Sequence, residues 1–210
     1  MKSITPGQLA QVEKMANEKA IDRDRFQTFG LDNGLLAIAL DAIVQGLPIT
    51  VGTPLVPPTG GRIVTVKVKT QLDRPWQEAV NAAGPQTPDN YNVRKVDDIC
   101  APTGIGTVEE ELVLLNYYPN GGAWDKAIAW AEASRLKRTD PRRVFALGEG
   151  QPKFNYEVGP NPTYVVATEE CFFDGKRQAC SVWWIDSGRG ASLHWVSNYG
   201  DSDDWFAFRK

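Results

Sequence analysis

The 210-residue chain is 42% hydrophobic, 23% charged and 10% aromatic, with 19 glycines and 14 prolines, which excludes a collagen, a coiled-coil rod and a wholly disordered tail. A net charge of -3 and a pI near 5.3 deny it the cationic field behind sequence-independent nucleic-acid or anionic-membrane binding. No stretch reaches the ~18 apolar residues of a membrane span, the start has no signal-peptide pattern, and three cysteines are too few for a disulfide scaffold, so a soluble, cytoplasmic protein is expected.

Residues 6–19 place Leu9, Val12, Met15 and Ala16 at helical spacing behind Thr5 as N-cap and Pro6 at the first helical position. A second helix, 33–44, is apolar nearly all round through Leu35, Leu36, Ile38, Leu40 and Ile43. Such a helix needs cover on both faces, which makes it the candidate interaction helix for docking or self-association. The Pro/Gly-rich stretch 51–61 reads as a linker between this 1–50 segment and a 62–210 domain.

Residues 63–70 set Val64, Val66 and Val68 against Thr65, Lys67 and Lys69, the period-two pattern of a half-buried strand. A short helix follows, capped by Asp73, carrying Trp76, Ala79 and Val80, and ended by Gly84. Residues 85–106 read as loop with a short strand at 91–96, and 108–118 as a strand. Helices are expected over 124–136 and 141–147, the second capped by Thr139 or Asp140. The remainder carries five β-rich runs: 164–168, 170–173, 179–185, 191–197 and 204–208. The order predicts an α+β fold: N-terminal helices, a Pro/Gly linker, then a mixed domain ending in an antiparallel Trp-rich β-meander.

The chemistry-bearing residues are sparse. His194 is the single histidine, so sites needing two imidazoles are excluded. As a general base it has Ser187, Ser192 or Ser197 within its sequence neighbourhood, and Cys100 or Cys171 as thiol candidates, but no GxSxG elbow accompanies them. A zinc site of Cys100, Cys171, Cys180 and His194 lacks the CxxC knuckle. Gly104-Ile105-Gly106 lacks the third glycine of a dinucleotide turn, and Asp201-Ser202-Asp203-Asp204 has Phe206 where a calcium loop needs glycine. No cofactor and no metal are therefore expected.

Asp174-Gly175 marks a hairpin that brings Cys171 and Cys180 close, directly opposite with a four-residue loop and diagonal with a two-residue one, so the two form a candidate cysteine pair. The basic run Arg135, Lys137, Arg138, Arg142 and Arg143 has a helix-dipole explanation, and nucleic acid is not an expected partner. Trp183, Trp184, Trp195 and Trp205 stand with Tyr199 in the last 28 residues. Beside Arg189 and Asp201 they form the candidate stacking surface for a ligand or a partner protein.

From about 65 to 210 the chain resembles a group of uncharacterised bacterial proteins of the candidate-phylum type. The resemblance rests on the order of the strand and Trp-containing helix, Gly106-Thr107-Val108-Glu109 leading into Glu111-Leu112-Val113, the helix pair over 136–147, and the closing Phe206-Ala207-Phe208-Arg209-Lys210. It implies no functional residue. The function expected is that of a non-enzymatic binding or interaction protein. The alternatives are a small hydrolase or thiol enzyme using His194 with Ser192 or Cys171, and a structural subunit of a larger assembly.

Overall fold

In a computed structural model the chain divides into two units, Met1–Pro54 and Leu55–Lys210. Described are residues 55–210 apart from 98, 102, 118–119 and 160–161. The two N-terminal helices, with Leu35, Leu36, Ile38, Leu40 and Ile43, lie outside the described residues, as does the linker up to residue 54. From 55 to 61 the linker has no regular structure and ends in a turn, with Gly60 at φ 74° and the Gly61 N–H donating to the Pro58 carbonyl (2.7 Å).

The strands are β1 (Arg62–Gln71), β2 (Thr107–Asn116), β3 (Lys137–Arg138), β4 (Thr163–Ala167), β5 (Cys171–Phe173), β6 (Lys176–Ile185), β7 (Gly188–Trp195) and β8 (Asp204–Arg209). All eight form one mixed sheet in the order β1-β2-β8-β4-β6, with β7 and β5 on β6 and β3 on β8. Every pair is antiparallel except β4 with β8, where Val165 stands beside Trp205 and Val166 beside Phe206 in parallel register. The expected terminal meander is therefore only partly formed. β5, β6 and β7 follow one another as antiparallel neighbours, but β8 crosses back to fill the place between β2 and β4. Its sequence suits this position: in Trp205-Phe206-Ala207-Phe208 no residue is polar, so the strand needs cover on both faces.

That cover comes from the helices α1 (Trp76–Ala83), α2 (Trp124–Ala133), α3 (Pro141–Gly150) and α4 (Phe154–Val158). Trp76, Val80, Phe145, Leu147 and Phe154 pack with Leu112, Leu114, Val182, Trp184 and Trp205 in one core. Trp124, Ile128 and Ala131 pack with Leu115, Val166, Phe206 and Phe208 in a second. The run Leu112-Val113-Leu114-Leu115 is apolar without alternation because β2 feeds both cores and is buried throughout this stretch.

Some local expectations change. α1 takes Pro75 as its N-cap, with no side-chain cap, so Asp73 does not cap it. Residues 92–95 form a 3-10 turn, where a strand was expected, and its Val93 carbonyl accepts the Trp76 indole N–H (2.7 Å). Of the two cap candidates for α3, Asp140 is the one used, accepting from the Arg143 N–H (3.2 Å). The basic run is divided: Arg135, Lys137 and Arg138 are exposed, Arg138 reaching Glu170 (3.1 Å), whereas Arg142 and Arg143 are buried and Arg143 is ion-paired to Asp140 and Glu110. No helix among the described residues is long and apolar enough to cross a membrane.

Candidate functional site

The hairpin between β5 and β6 turns on two residues, Asp174 and Gly175, both left-handed (φ 52° and 68°). This matches the right-handed strand twist and pairs Phe173 with Lys176 and Cys171 with Gln178. The next hairpin also turns on two residues, Asp186 and Ser187, pairing Ile185 with Gly188 and thereby Gln178 with Trp195. The two registers together bring Lys176, at the start of β6, over the indole at the end of β7: its ammonium lies 3.5 Å from the Trp195 ring centroid, a close cation–π contact.

Trp195 is 45% exposed. It lines a groove of about 510 Å³ with Asp125, Lys176, Arg177, Ser197, Tyr199 and Trp124. The floor is rigid. Trp124 meets Tyr199 (6.2 Å between ring centroids) and stands edge-on to Phe206 (5.8 Å), while the buried Tyr199 hydroxyl donates to the Ala179 carbonyl (3.0 Å) and lies 3.1 Å from Ser181 Oγ. The rim is polar. Arg177 is neutralised by Glu170 through two bonds of 2.6 and 2.8 Å, whereas Lys176 has no carboxylate partner among the described residues. The Trp124 indole N–H is buried and has no hydrogen-bond partner, and burial raises the Tyr199 hydroxyl pKa, so the phenol stays neutral.

The other aromatic candidates are elsewhere. Trp183 and Trp184, adjacent in β6, face opposite sides as strand geometry requires, but Trp184 is fully buried against Phe154 (5.4 Å) and Trp205 is fully buried as well. Both are core residues, because helices cover that face too. Trp183 lies on Gly190, where a Cβ would come within 2.0 Å of its ring. Arg189 donates to the Ala82 carbonyl of α1 (3.2 Å) and so braces β7, and Asp201 sits in the loop before β8. Of the expected surface the groove thus gathers Trp195 and Tyr199, and it adds Trp124, Asp125, Lys176 and Arg177.

The expected catalytic partners stand apart. Ser192 is buried and its Oγ is 2.8 Å from Ser181 Oγ. His194, two residues on in β7, is exposed, edge-on to Tyr199 (6.2 Å), and burial lowers its pKa. Cys171 belongs to the core on the other face of the sheet, so neither the dyad nor the zinc set with His194 is assembled, and among the described residues no group of three or more His, Cys, Asp or Glu is placed to hold a metal. All three cysteines are free thiols. Comparison of the chain with protein families, with curated proteins and with solved structures gave no match.

Proposed function

We propose that the protein is a non-enzymatic binding protein whose ligand surface is the groove at Trp195. The observation carrying this reading is an indole nearly half exposed in a groove that Trp124 and Tyr199 also line, with the Lys176 ammonium against it. A ligand suited to the groove offers a flat apolar face to the indole and an anionic group to Lys176. Sugars bearing a carboxylate or sulfate have that combination, since their C–H faces stack on aromatic rings.

The experiment is a tryptophan-fluorescence titration of the full chain with acidic and neutral oligosaccharides. An acidic sugar is expected to bind, and Trp195→Ala and Lys176→Ala are each expected to weaken it at least about tenfold, the loss of one good aromatic or charged contact, with the melting temperature unchanged. Binding unaffected by either substitution, or no acidic sugar binding at all, overturns the reading.

A further inference from the structure

The sheet has two long outer strands, and the fold treats them differently. The outer edge of β7 is occupied: the Gln86 N–H donates to the Arg189 carbonyl (3.1 Å), and the Ala191 N–H donates to Thr87 Oγ1 (2.8 Å). β1, ten residues long, pairs with β2 alone, and no hydrogen bond from another described segment reaches the backbone of residues 63–70. One row of its N–H and C=O groups therefore faces outward, a template on which a further strand can form.

The open edge is also one wall of a groove. Lys67, Val68 and Lys69 of β1 line a space of about 390 Å³ together with Arg74 and, from the C-terminal half of α3, Ala146 and Gly150. A Cβ added at Gly150 meets nothing within 4 Å, so the helix end leaves room for side chains. An edge strand beside a helix is the arrangement in which an extended peptide gains main-chain hydrogen bonds from the strand and side-chain contacts from the helix.

Charge selects the occupant. Arg74 is neutralised by Glu149 (2.6 Å). Lys67 forms no ion pair among the described residues, because Glu111 opposite it is held by Lys210 (2.5 Å). Lys69 meets Glu109 at 3.7 Å with both side chains more than 70% exposed, a weak pairing. The edge thus carries an excess of positive charge, and β2 already shows on the other side of β1 what matches it: Glu109 and Glu111 stand opposite Lys69 and Lys67, and Leu112 opposite Val66. A second copy of β1 is a poor match, since antiparallel pairing centred on residues 66–68 sets lysines opposite or diagonal to lysines.

We infer that the outer edge of β1 is a docking site for an extended acidic segment of a partner protein, which adds to the sheet as a further strand with acidic side chains beside Lys67 and Lys69 and small apolar ones toward Ala146 and Gly150. This site is separate from the groove at Trp195 and does not depend on the reading given to it.

The test measures, by fluorescence anisotropy with the full chain, the binding of a labelled octapeptide that alternates Glu with Val. Its Lys–Val counterpart and a version with the two central valines replaced by proline are the controls. The acidic peptide is expected to bind, the controls are not, and binding is expected to slow hydrogen exchange at the amides of 63–70. Lys67→Thr combined with Lys69→Thr keeps strand-forming residues and is expected to weaken binding about fivefold, the loss of two cross-strand charge pairs. Gly150→Trp, which fills the groove, is expected to weaken it about tenfold, and Trp195→Ala to leave it unchanged. Melting temperatures identify folded variants, and if the lysine variant does not fold, Gly150→Trp decides. Equal binding of all three peptides, no binding of the acidic one, unchanged exchange over 63–70, loss of binding in Trp195→Ala, or self-association of the chain that Gly150→Trp abolishes overturns the inference.

Discussion

Asp204 opens β8 with its carboxylate turned back onto the preceding loop, where one oxygen accepts the N–H groups of Gly200 (2.7 Å) and Asp201 (3.0 Å). Burial nevertheless pushes its pKa up to about 6, above the value of about 3.9 in an unfolded chain. Between those two values the folded state holds a proton that the unfolded state has released. The stability contributed is fully present below about pH 4 and is lost as the pH rises through 6, an effect on the order of 3 kcal/mol. Asp204→Asn keeps an oxygen to accept the same two bonds but carries no charge. Thermal melts at pH 4.5 and 7 are expected to show the variant gaining on the parent at the higher pH, and parallel melting curves for the two proteins would contradict the assignment.

Single residues also show the limit of reading the chain alone. The exposed Trp195 and the buried Trp184 and Trp205 lie in stretches of similar composition, and only knowledge of which faces the helices cover separates them. The same holds for Arg142 and Arg143, whose positive charge suggests a surface and whose side chains are interior. Trp124 reaches the groove from a segment far from the hairpins, and no local pattern announces that meeting.

At the scale of elements, more was legible. The elements with regular apolar spacing, β1, α2 and α3, stand where the periodicity puts them, because a period of two or of 3.6 survives any arrangement of neighbours, and β2 is marked instead by its unbroken apolar run. The turns carried further information than was drawn from them: two-residue loops at Asp174-Gly175 and Asp186-Ser187 fix both registers of β6 and hence the meeting of Lys176 with Trp195. What periodicity could not provide were the five-residue α4, the two-residue β3 and the 3-10 turn at 92–95, each too short to show a period.

The end of α2 offers an element-scale test. Leu136 N–H donates to the Ala131 carbonyl (2.9 Å) and Arg135 N–H to the Glu132 carbonyl (3.0 Å), a Schellman closure in which Arg135 takes the left-handed position at φ 58°. A glycine carries no Cβ penalty there. Arg135→Gly is expected to raise stability by up to about 1 kcal/mol, read as a higher denaturant midpoint with an unchanged slope, and a lowered midpoint would show that the arginine side chain contributes more than its backbone conformation costs.

For the molecule as a whole, the decisive feature is the strand order. β8 joins β2 on one side to β4 on the other and contributes Trp205 to one core and Phe206 and Phe208 to the second. No hydrophobic pattern in 204–209 distinguishes that place from the outer position a meander would give it, since an all-apolar strand only states that both faces are covered. Deleting 204–210 is therefore expected to abolish the cooperative unfolding transition in calorimetry, whereas an outer strand would leave a weakened but sharp one. Without the strand, Asn116 also loses the Asp204 carbonyl that its side-chain amide donates to (2.8 Å).

This insertion has a consequence for synthesis on the ribosome. β1 and β2 are complete once residue 116 has emerged, yet the inner edge of β2 waits for its neighbour over roughly ninety further residues, about 5–20 s of elongation at cellular rates. Throughout that interval the nascent chain carries a strand of Leu112-Val113-Leu114-Leu115 with one row of backbone donors and acceptors unpaired, the kind of edge that adds strands from other molecules. The protein is thus most exposed to chaperone capture, and to misassembly with its own kind, in the seconds before its last strand arrives.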